Sequence, residues 1–439
     1  MQGCASYYKY LSSFHSFDLH QMYSNTQATP FKVIIIGGGI SGLTLANALK
    51  NKKIAFEVFE RDSDSNCRGQ GWSVTLHTGL DALHQCIPTH RFDNFGHDTC
   101  VNHEVNEGGL TVRFIDGRTG KDGLLFDLNG AYRVKRVRFR KWLLKDVEDH
   151  VHWNKRMVRY EEHDGGVKVF FEDGTCAEGD LLIAADGSMS PVARQLMKDK
   201  FDELTNHLPL NCYGACRWVT EEEWSKVSVS IRQHATINGT IADQTVDNVV
   251  NMVYTLNKID RSQSVTPYEV LWFISRWDTD GVFEFPDGTN NAKVMSMIKS
   301  WAATCFPGSP DHQQFILDTP DDTPIIGVKV RERKPDYDLL VNASHRVVLV
   351  GDAAHPMSMF RGEGANHAII DVAQLAEQIG AVVAGAKSLD SAIEDYYKGM
   401  VPRAQRAVLE SHVAAEMVHT QPERLADLYK SMMARFNKK

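Results

Sequence analysis

Short apolar runs that stop at glycine or at an acidic residue recur along the chain and predict parallel β-strands. Residues 33–36 form the first run, with the β-branched composition of a buried strand, and three glycines follow it. Apolar and small residues at 40–49 then predict a helix, and 54–59 predict a second strand that ends at Glu60. The order of strand, glycine turn, helix and strand indicates a βαβ unit.

Two later runs, 181–185 and 347–350, predict further strands of this sheet, because each run is followed by a glycine and an aspartate. Strand-like patterns at 249–256 and 270–275 lie between them and predict a second, β-rich domain. Because the pattern of the first sheet resumes after this insertion, we expect the two domains to interleave.

Helical patterns close the chain, first to 384 and then over 391–418, and Gly399 and Pro402 predict a break in the second of them. We therefore predict an α/β fold with a Rossmann-like domain in two parts. The predicted divisions are a disordered extension at 1–30, the Rossmann-like domain at 31–199 and 326–384, an interleaved β-sheet domain at 200–325 and a helical segment at 385–439.

Composition narrows the class of protein. The 439 residues are 43% hydrophobic and 24% charged, as in a soluble globular protein of two or three domains. The net charge is −8 and no block of Lys and Arg could neutralise a phosphate backbone, which argues against a nucleic-acid partner. No apolar run approaches the roughly 18 residues that span a bilayer. Eight scattered cysteines without a CxxC pair indicate a reduced, cytoplasmic setting, and we expect Cys212 and Cys216 to be core residues, with no metal site.

The turn after the first strand carries the chemistry of a dinucleotide site. Residues 37–42 match G-x-G-x-x-G between a predicted strand and a predicted helix, where glycines permit a tight turn and a close approach to pyrophosphate. Glu60 ends the second strand, where a carboxylate accepts hydrogen bonds from ribose, so the site suits FAD or NAD and disfavours NADP. Arg61 is a candidate for adenine-side contacts, with an exposed surface arginine as the alternative. The predicted contacts in the turn are Gly37, Gly39, Ile40, Ser41 and Gly42.

A second candidate site, 351–366 (GDAAHPMSMFRGEGAN), lies between a strand and a helix. Asp352 at the strand end can accept a hydrogen bond from a sugar-alcohol hydroxyl, and Gly364 permits backbone to approach a flat ring. The following helix offers free amides and its positive dipole end to developing negative charge. These are the requirements of a reduced flavin. We expect His355, although it lies in this segment, to be structural.

Three separated motifs together resemble those of the group A FAD-dependent monooxygenases, the family of para-hydroxybenzoate hydroxylase, and within it the tetracycline-inactivating and fungal biosynthetic members. They are the turn at 37–42, the Asp186-Gly187 pair in DLLIAADGSMSPVAR, and the segment 351–366, in the family's order. The resemblance implies a GR2-type FAD-binding domain with an interleaved β-sheet substrate domain. Met359 departs from the family, where proline is common.

The resemblance also implies residue roles. Glu60 would bind the AMP ribose, Asp352 the ribityl chain, and the helix that begins near Ala365 the pyrimidine edge of the flavin. Arg136 resembles the family arginine that reaches the flavin from a helix start, with Arg138 or Arg140 as alternatives. Gly71 falls where the family passes backbone beside the cofactor, with a simple turn glycine as the alternative. Asp186 is implied to serve nicotinamide binding and structure, with Arg194 as its partner.

The function implied is oxygenation of a small aromatic or polycyclic substrate in secondary metabolism or catabolism, with NADPH or NADH as a transient electron donor and O2 as co-substrate. Because the cofactor carries the difficult chemistry, the sequence identifies no catalytic acid, base or nucleophile. Two alternatives remain: a flavin oxidase or dehydrogenase on the same fold, and a non-enzymatic flavin-binding protein. The substrate, the choice between hydroxylation, epoxidation and ring-expanding insertion, and the oligomeric state are left open.

Overall fold

The computed structural model describes residues 30–67, 72–226, 237–241, 249–278, 280–421 and 424. The predicted extension, apart from Pro30, and the candidate Gly71 lie outside the described residues. No helix in these ranges is long and apolar enough to cross a membrane.

The strands are β1 (Lys32–Ile36), β2 (Ala55–Phe59), β3 (Ser73–Leu76), β4 (Gly109–Asp116), β5 (Asp122–Asn129), β6 (Tyr132–Lys135), β7 (Val151–His152), β8 (Met157–His163), β9 (Gly166–Phe171), β10 (Cys176–Gly179), β11 (Leu181–Ala184), β12 (Thr205–Val219), β13 (Ile237–Ile241), β14 (Val250–Ile259), β15 (Tyr268–Trp277), β16 (Ile326–Arg333) and β17 (Val347–Leu349). The helices are α1 (Ile40–Asn51), α2 (Leu80–Cys86), α3 (Phe95–Thr99), α4 (Arg136–Leu144), α5 (Pro191–Met197), α6 (Lys200–Glu203), α7 (Glu221–Lys226), α8 (Asn291–Cys305), α9 (Pro310–Leu317), α10 (Tyr337–Ala343), α11 (Gly364–Val383) and α12 (Leu389–Thr420).

A parallel sheet of five strands in the order β17-β11-β1-β2-β7 is the centre of the first layer. Strands β1, β11 and β17 are almost entirely buried, which explains why they read as uninterrupted apolar runs in the sequence. Helices α1 and α11 pack together and share its hydrophobic core. The strands therefore deliver their carboxyl ends, and the loops after them, to one edge of the sheet. The predicted α/β fold of the para-hydroxybenzoate hydroxylase type is confirmed.

The second large sheet has seven strands in the order β16-β12-β15-β14-β13-β4-β5, antiparallel except where β13 pairs with β4. Side chains alternate between its two faces, as the pleat requires. On β15, Trp272 and Ile274 belong to a core shared with α8 and α9, whereas Leu271 and Phe273 line a cavity. One face of the sheet is thus a conventional core and the other is open to a ligand.

This sheet draws on more of the chain than the predicted substrate domain of 200–325. Residues 109–129 supply β4 and β5, and 326–333 supply β16, so chain from both predicted parts of the Rossmann-like domain enters the sheet. The two smaller sheets, β10-β9-β8 and β3-β6, lie within the first predicted part. The interleaving is therefore more extensive than the apolar patterns indicated.

The predicted break at Gly399 and Pro402 is wrong, because α12 continues through both residues for 32 residues. Pro402 cannot donate the backbone hydrogen bond that would reach the carbonyl of Lys398. Both Pro402 and Lys398 occupy exposed positions on the helix, so water can satisfy that carbonyl. The buried face, which includes Tyr396 and Met400, holds the helix straight against the protein.

Candidate active site

One cavity of about 500 Å³ connects the two large sheets. Its first part is formed by the loops after β1, β2, β11 and β17, and its second part by the open face of the seven-stranded sheet together with β3 and β6. A ligand at the carboxyl ends of the parallel strands and a second ligand on the sheet face would therefore share one chamber.

The glycine turn has the geometry that its sequence pattern predicts. Gly37 has φ +108°, and a Cβ atom there would lie 2.3 Å from the carbonyl oxygen of Ala185. A Cβ atom on Gly42 would lie 2.0 Å from the carbonyl oxygen of Gly37, so this glycine lets the helix pack against the turn and does not line the cavity. A Cβ atom on Gly39 would have no atom within 4 Å, so this glycine faces open space. The free approach is thus at the amino end of α1, where backbone amides can meet a phosphate.

Glu60 is 2% exposed and holds the turn from the end of β2. Its carboxylate accepts hydrogen bonds from the backbone N–H groups of Gly38 at 2.7 Å and Asp62 at 3.0 Å. Arg140 adds a guanidinium 3.4 Å from the same carboxylate and donates to the carbonyl of Gly38 at 2.7 Å. Glu60 therefore shapes the loop as well as facing the cavity.

Asp352 follows β17 in a short 3-10 turn, and its side chain is exposed to the cavity. The surrounding protein removes water from the Asp352 carboxylate and so raises its pKa, while His355 and Arg136 oppose that shift with their positive charge. Gly364 and Ala365 begin α11 and line the same cavity. Asn366 fixes this helix start by accepting hydrogen bonds from the backbone N–H groups of residues 77 and 79 at 2.9 and 3.0 Å.

Three arginines of α4 were candidates for one role, and the structure separates them. Arg136 begins the helix and lines the cavity. Arg138 instead donates to backbone carbonyls of residues 97 and 98, away from the cavity lining. Arg140 pairs with Glu60 and Asp62 and is not part of the cavity lining. Arg136 is thus the one of the three that stands beside Asp352.

Asp186 follows β11 and lines the cavity with a buried carboxylate whose oxygens have no hydrogen-bond partner among the described residues. Burial raises its pKa to about 6, and the Ser190 hydroxyl and the Arg61 charge oppose the shift. The predicted partner Arg194 is wrong, because its guanidinium pairs with Asp202 at 2.6 Å and stacks over Phe201. Asp186 therefore places a carboxylate on the cavity wall that no cation of the described residues pairs with closely.

His355 does not line the cavity. It is fully buried and its Nε2 lies 2.7 Å from Asp371, which also accepts a hydrogen bond from the backbone N–H of Gly351. Burial alone would raise the pKa of Asp371, but His355 and Arg403 outweigh it and lower the pKa to about 2. The histidine thus supports the loop that carries Asp352. In the described part of the chain, no cluster of three His, Cys, Asp or Glu side chains is arranged to hold a metal.

Most of the predicted contacts converge on the cavity, and Gly42 and Gly71 are the two that are not placed there, the first by packing and the second by lying outside the described residues. The predicted residues that line it are Gly37, Gly39, Ile40, Ser41, Glu60, Arg61, Arg136, Asp352, Gly364 and Ala365. Although these residues range from 37 to 365 in sequence, the parallel sheet brings the loops that carry them to one edge.

Sequence reasoning missed the polar residues of the second part of the cavity, which include Ser73, Thr75, His77, Arg133, Asn251 and Thr255. They lie among apolar residues of the sheet face, Leu110, Val112, Leu128, Val253, Leu271 and Phe273. No local motif marks such residues, because a strand pattern predicts that one face is buried without saying what it faces. The position of Arg140 could have been predicted, because it lies four residues after Arg136 and so on the same side of one helix.

The cavity fits FAD on its own geometry. The open approach at Gly39, the start of α1, the carboxylate of Glu60 and the acidic side chain of Asp352 all line it. They match a pyrophosphate, a ribose and a polyhydroxylated chain, and the start of α11 then faces the position of a flat ring.

Comparison with known proteins agrees with this reading. The family described as the FAD binding domain matches residues 30–270 and 341–411. A probable FAD-dependent monooxygenase of Arthroderma benhamiae is 30% identical over 420 residues, covering 91% of this chain and 94% of that protein. The FAD-dependent monooxygenase thnD of Trichoderma harzianum is 29% identical over 391 residues, covering 86% and 91%.

Solved structures share the fold. HpxO of Klebsiella pneumoniae, solved with FAD and uric acid, has a TM-score of 0.66 at 20% identity and covers 93% of each chain. The tetracycline destructase Tet(51) has a TM-score of 0.60 at 16% identity, covering 93% of this chain and 96% of that one. The resemblance drawn from three motifs is thereby confirmed. The chain belongs to the FAD binding domain family, as an FAD-dependent monooxygenase whose cofactor is FAD.

Proposed function

We propose that this enzyme uses NADPH or NADH and O2 to hydroxylate or epoxidise a small aromatic or polycyclic substrate, in secondary metabolism or catabolism. The observation that carries the proposal is the single cavity, which joins the cofactor loops to the apolar face of the seven-stranded sheet. Such a chamber can hold a flat apolar ring beside the flavin and exclude water from both.

In this proposal each loop has one task. Glu60 and the turn at 37–42 hold the AMP half of FAD, and Asp352 binds the ribityl chain. Arg136 and the start of α11 supply positive charge where the flavin ring becomes negative. The bound flavin supplies the redox chemistry, accepting a hydride from the donor and activating oxygen. The protein positions the substrate and keeps the chamber dry.

The test begins with the visible spectrum of the purified protein, followed by anaerobic addition of NADPH or NADH, alone and then with phenolic and polycyclic compounds. We expect a yellow protein that bleaches with one donor, faster when a substrate is present, and that consumes oxygen on re-aeration. Incorporation of one atom from ¹⁸O₂ into the product would establish oxygenation.

Two outcomes would redirect the assignment. Bound flavin that neither donor reduces, but that a substrate reduces directly, would favour an oxidase or dehydrogenase on this fold. Bound flavin that no donor or substrate reduces would favour a non-enzymatic flavin-binding role.

A further inference from the structure

A positively charged side chain lies beside the apolar residues of the sheet face in the second part of the cavity. Arg133 lies on β6 and lines the cavity beside the sheet face that carries Leu110, Val112 and Leu128. Its Nη1 donates to the hydroxyl of Thr75 at 3.0 Å, across the β3-β6 pair where the two residues stand opposite each other. Its Nε is buried and has no hydrogen-bond partner among the described residues.

Three other buried arginines have acidic partners, and a fourth, Arg333, has no ion pair in the described part of the chain but donates to the Thr205 hydroxyl and to the carbonyls of Ala353 and Ser188. Arg91 pairs with Asp146, Arg361 with Glu363 and Glu410, and Arg140 with Glu60 and Asp62. No carboxylate of the described residues forms an ion pair with Arg133. Lys135, two residues further along β6, is by contrast neutralised by Glu269 at 2.9 Å. Arg133 therefore differs from all four, because it lines the cavity and, among the described residues, has neither an ion pair nor a hydrogen-bond partner for its Nε.

A buried guanidinium without a counter-charge costs free energy, because it has lost water and gained no anion. Burial lowers the pKa of Arg133 to about 10, and no neighbouring charge contributes to the shift. The group still carries its proton at neutral pH. Such a cost is recovered when a ligand brings an anionic oxygen into contact with the free N–H groups.

We infer that Arg133, supported by Thr75, is a binding subsite for an anionic oxygen on the apolar ring system of the substrate. The inference rests on the proposed function, since it places that substrate on the face of the seven-stranded sheet. Asn251 adds a second polar point on the same cavity, because its side-chain oxygen is buried without a partner among the described residues. The anion would fix which edge of the ring faces the cofactor, and Arg133 would act as a positioning and specificity-determining residue.

The test compares matched ligands that differ in charge, with binding read from perturbation of the oxidised flavin spectrum. The probes are 2-naphthoate against 2-naphthamide, and 4-nitrophenolate against nitrobenzene. We expect the wild-type holoenzyme to bind at least one anion about tenfold or more tightly than its neutral counterpart. The pair that shows the preference distinguishes a carboxylate from a phenolate.

Two variants assign the preference to this side chain. Arg133→Met should bring each pair to within about twofold while FAD stays bound, and Arg133→Lys should keep part of the preference. Arg138→Met is the matched control on the neighbouring helix and should leave the preference unchanged, because Arg138 is not part of the cavity lining.

Binding to oxidised enzyme needs neither donor nor oxygen, so a failed turnover assay would count against the proposed function and leave this measurement intact. A wild-type protein that binds neither anion better than its neutral counterpart overturns the inference. So does an Arg133→Met variant that keeps the preference, or one that instead loses FAD while Arg133→Lys restores its binding, since the arginine would then serve the cofactor.

Discussion

The five-stranded sheet and the seven-stranded sheet line one cavity with different parts of the polypeptide. In the parallel sheet, the contacts come from loops after strand ends, where backbone amides, glycines and single acidic residues face the ligand. In the mixed sheet they come from alternate side chains along strands, such as Val253 and Phe273. The parallel sheet contacts a ligand mainly through backbone and glycines, which few other residues can replace. The mixed sheet contacts a ligand through side chains, whose exchange changes the shape of the cavity, so we expect the substrate part to accept more substitutions than the cofactor part.

The largest expected difference between the two sheets is in the response to one added methyl group. Gly42→Ala would place its Cβ 2.0 Å from a backbone oxygen, whereas Gly214→Ala on β12 would meet a ring carbon of Phe273 at 3.0 Å and the carbonyl oxygen of Trp272 only at 3.2 Å. Backbone cannot retreat without moving β1, but a ring can turn. We expect Gly42→Ala to lower the free energy of unfolding by about 3 kcal/mol and Gly214→Ala by about 1 kcal/mol or less.

Urea unfolding of the two variants, each as holoprotein and apoprotein, measures this comparison. Gly39→Ala is the control within the turn, because its Cβ would meet no atom and should cost little stability in the apoprotein. It should still weaken FAD binding by occupying the approach to the amides of α1. Equal losses for Gly42→Ala and Gly214→Ala would show that the turn is no more constrained than the sheet face.

The next prediction concerns the two acidic residues of the cofactor part. Asp352→Ala should weaken FAD binding about tenfold to a hundredfold, as expected for loss of a charge-assisted hydrogen bond, with little loss of apoprotein stability. Glu60→Ala should weaken FAD binding and also destabilise the apoprotein, because Glu60 accepts two backbone N–H groups and faces Arg140.

Equilibrium dialysis for FAD and thermal unfolding of the apoproteins separate these two effects. Asp390→Ala, an exposed acid paired with His345 on the surface, serves as the control and should change neither quantity appreciably. Full FAD occupancy at tight affinity in Asp352→Ala would remove Asp352 from the cofactor site. An unchanged melting temperature for Glu60→Ala apoprotein would mean that the turn keeps its shape without the carboxylate.

The contrast between the sheets also explains what could be predicted from sequence. The bounds of β1, β2, β11 and β17 agree with the apolar runs to within one residue at most ends, because strands buried on both faces leave an uninterrupted signal. Glycine and aspartate mark their ends, so ten predicted contact residues lie on the cavity. This information is local.

The remainder depends on contacts between distant segments. The parallel pairing of β13 with β4 joins residues more than a hundred positions apart, and neither segment carries a local pattern that names its partner. The same holds for Arg133, whose significance comes from the absence of a carboxylate among the described residues around it. The error at Pro402 is of another kind, since burial of one helix face outweighed a local signal for a break.

A pH-dependent effect, the smallest of these near neutral pH, is expected where α12 meets β15. His419 is fully buried; its Nδ1 donates to the carbonyl of Ala415 at 2.6 Å, and Ser275 donates to its Nε2 at 2.8 Å. Burial lowers the pKa of His419 to about 4 from 6.5, so the ring is neutral at pH 7; because Nδ1 faces a carbonyl it carries the proton, and Nε2 is left to accept from Ser275. The unfolded chain therefore binds a proton between pH 6.5 and 4 that the folded protein refuses, so stability falls as the pH drops through that window and then levels off below it.

The His419→Gln variant isolates this contribution, because Gln can accept from Ser275 and does not titrate. His77 and His312, whose pKa values burial also lowers to about 4, are present in both proteins and cancel in the difference. We expect the free energy of unfolding of wild type to fall more steeply, by up to about 1.4 kcal/mol for each pH unit, between pH 6.5 and 4. His207→Gln, at an exposed position on β12, should keep the wild-type slope. If the free energy of unfolding had the same pH dependence in wild type and His419→Gln, the folded protein would bind the proton at His419 as readily as the unfolded chain. The contact between α12 and β15 would then open easily enough to hydrate the ring.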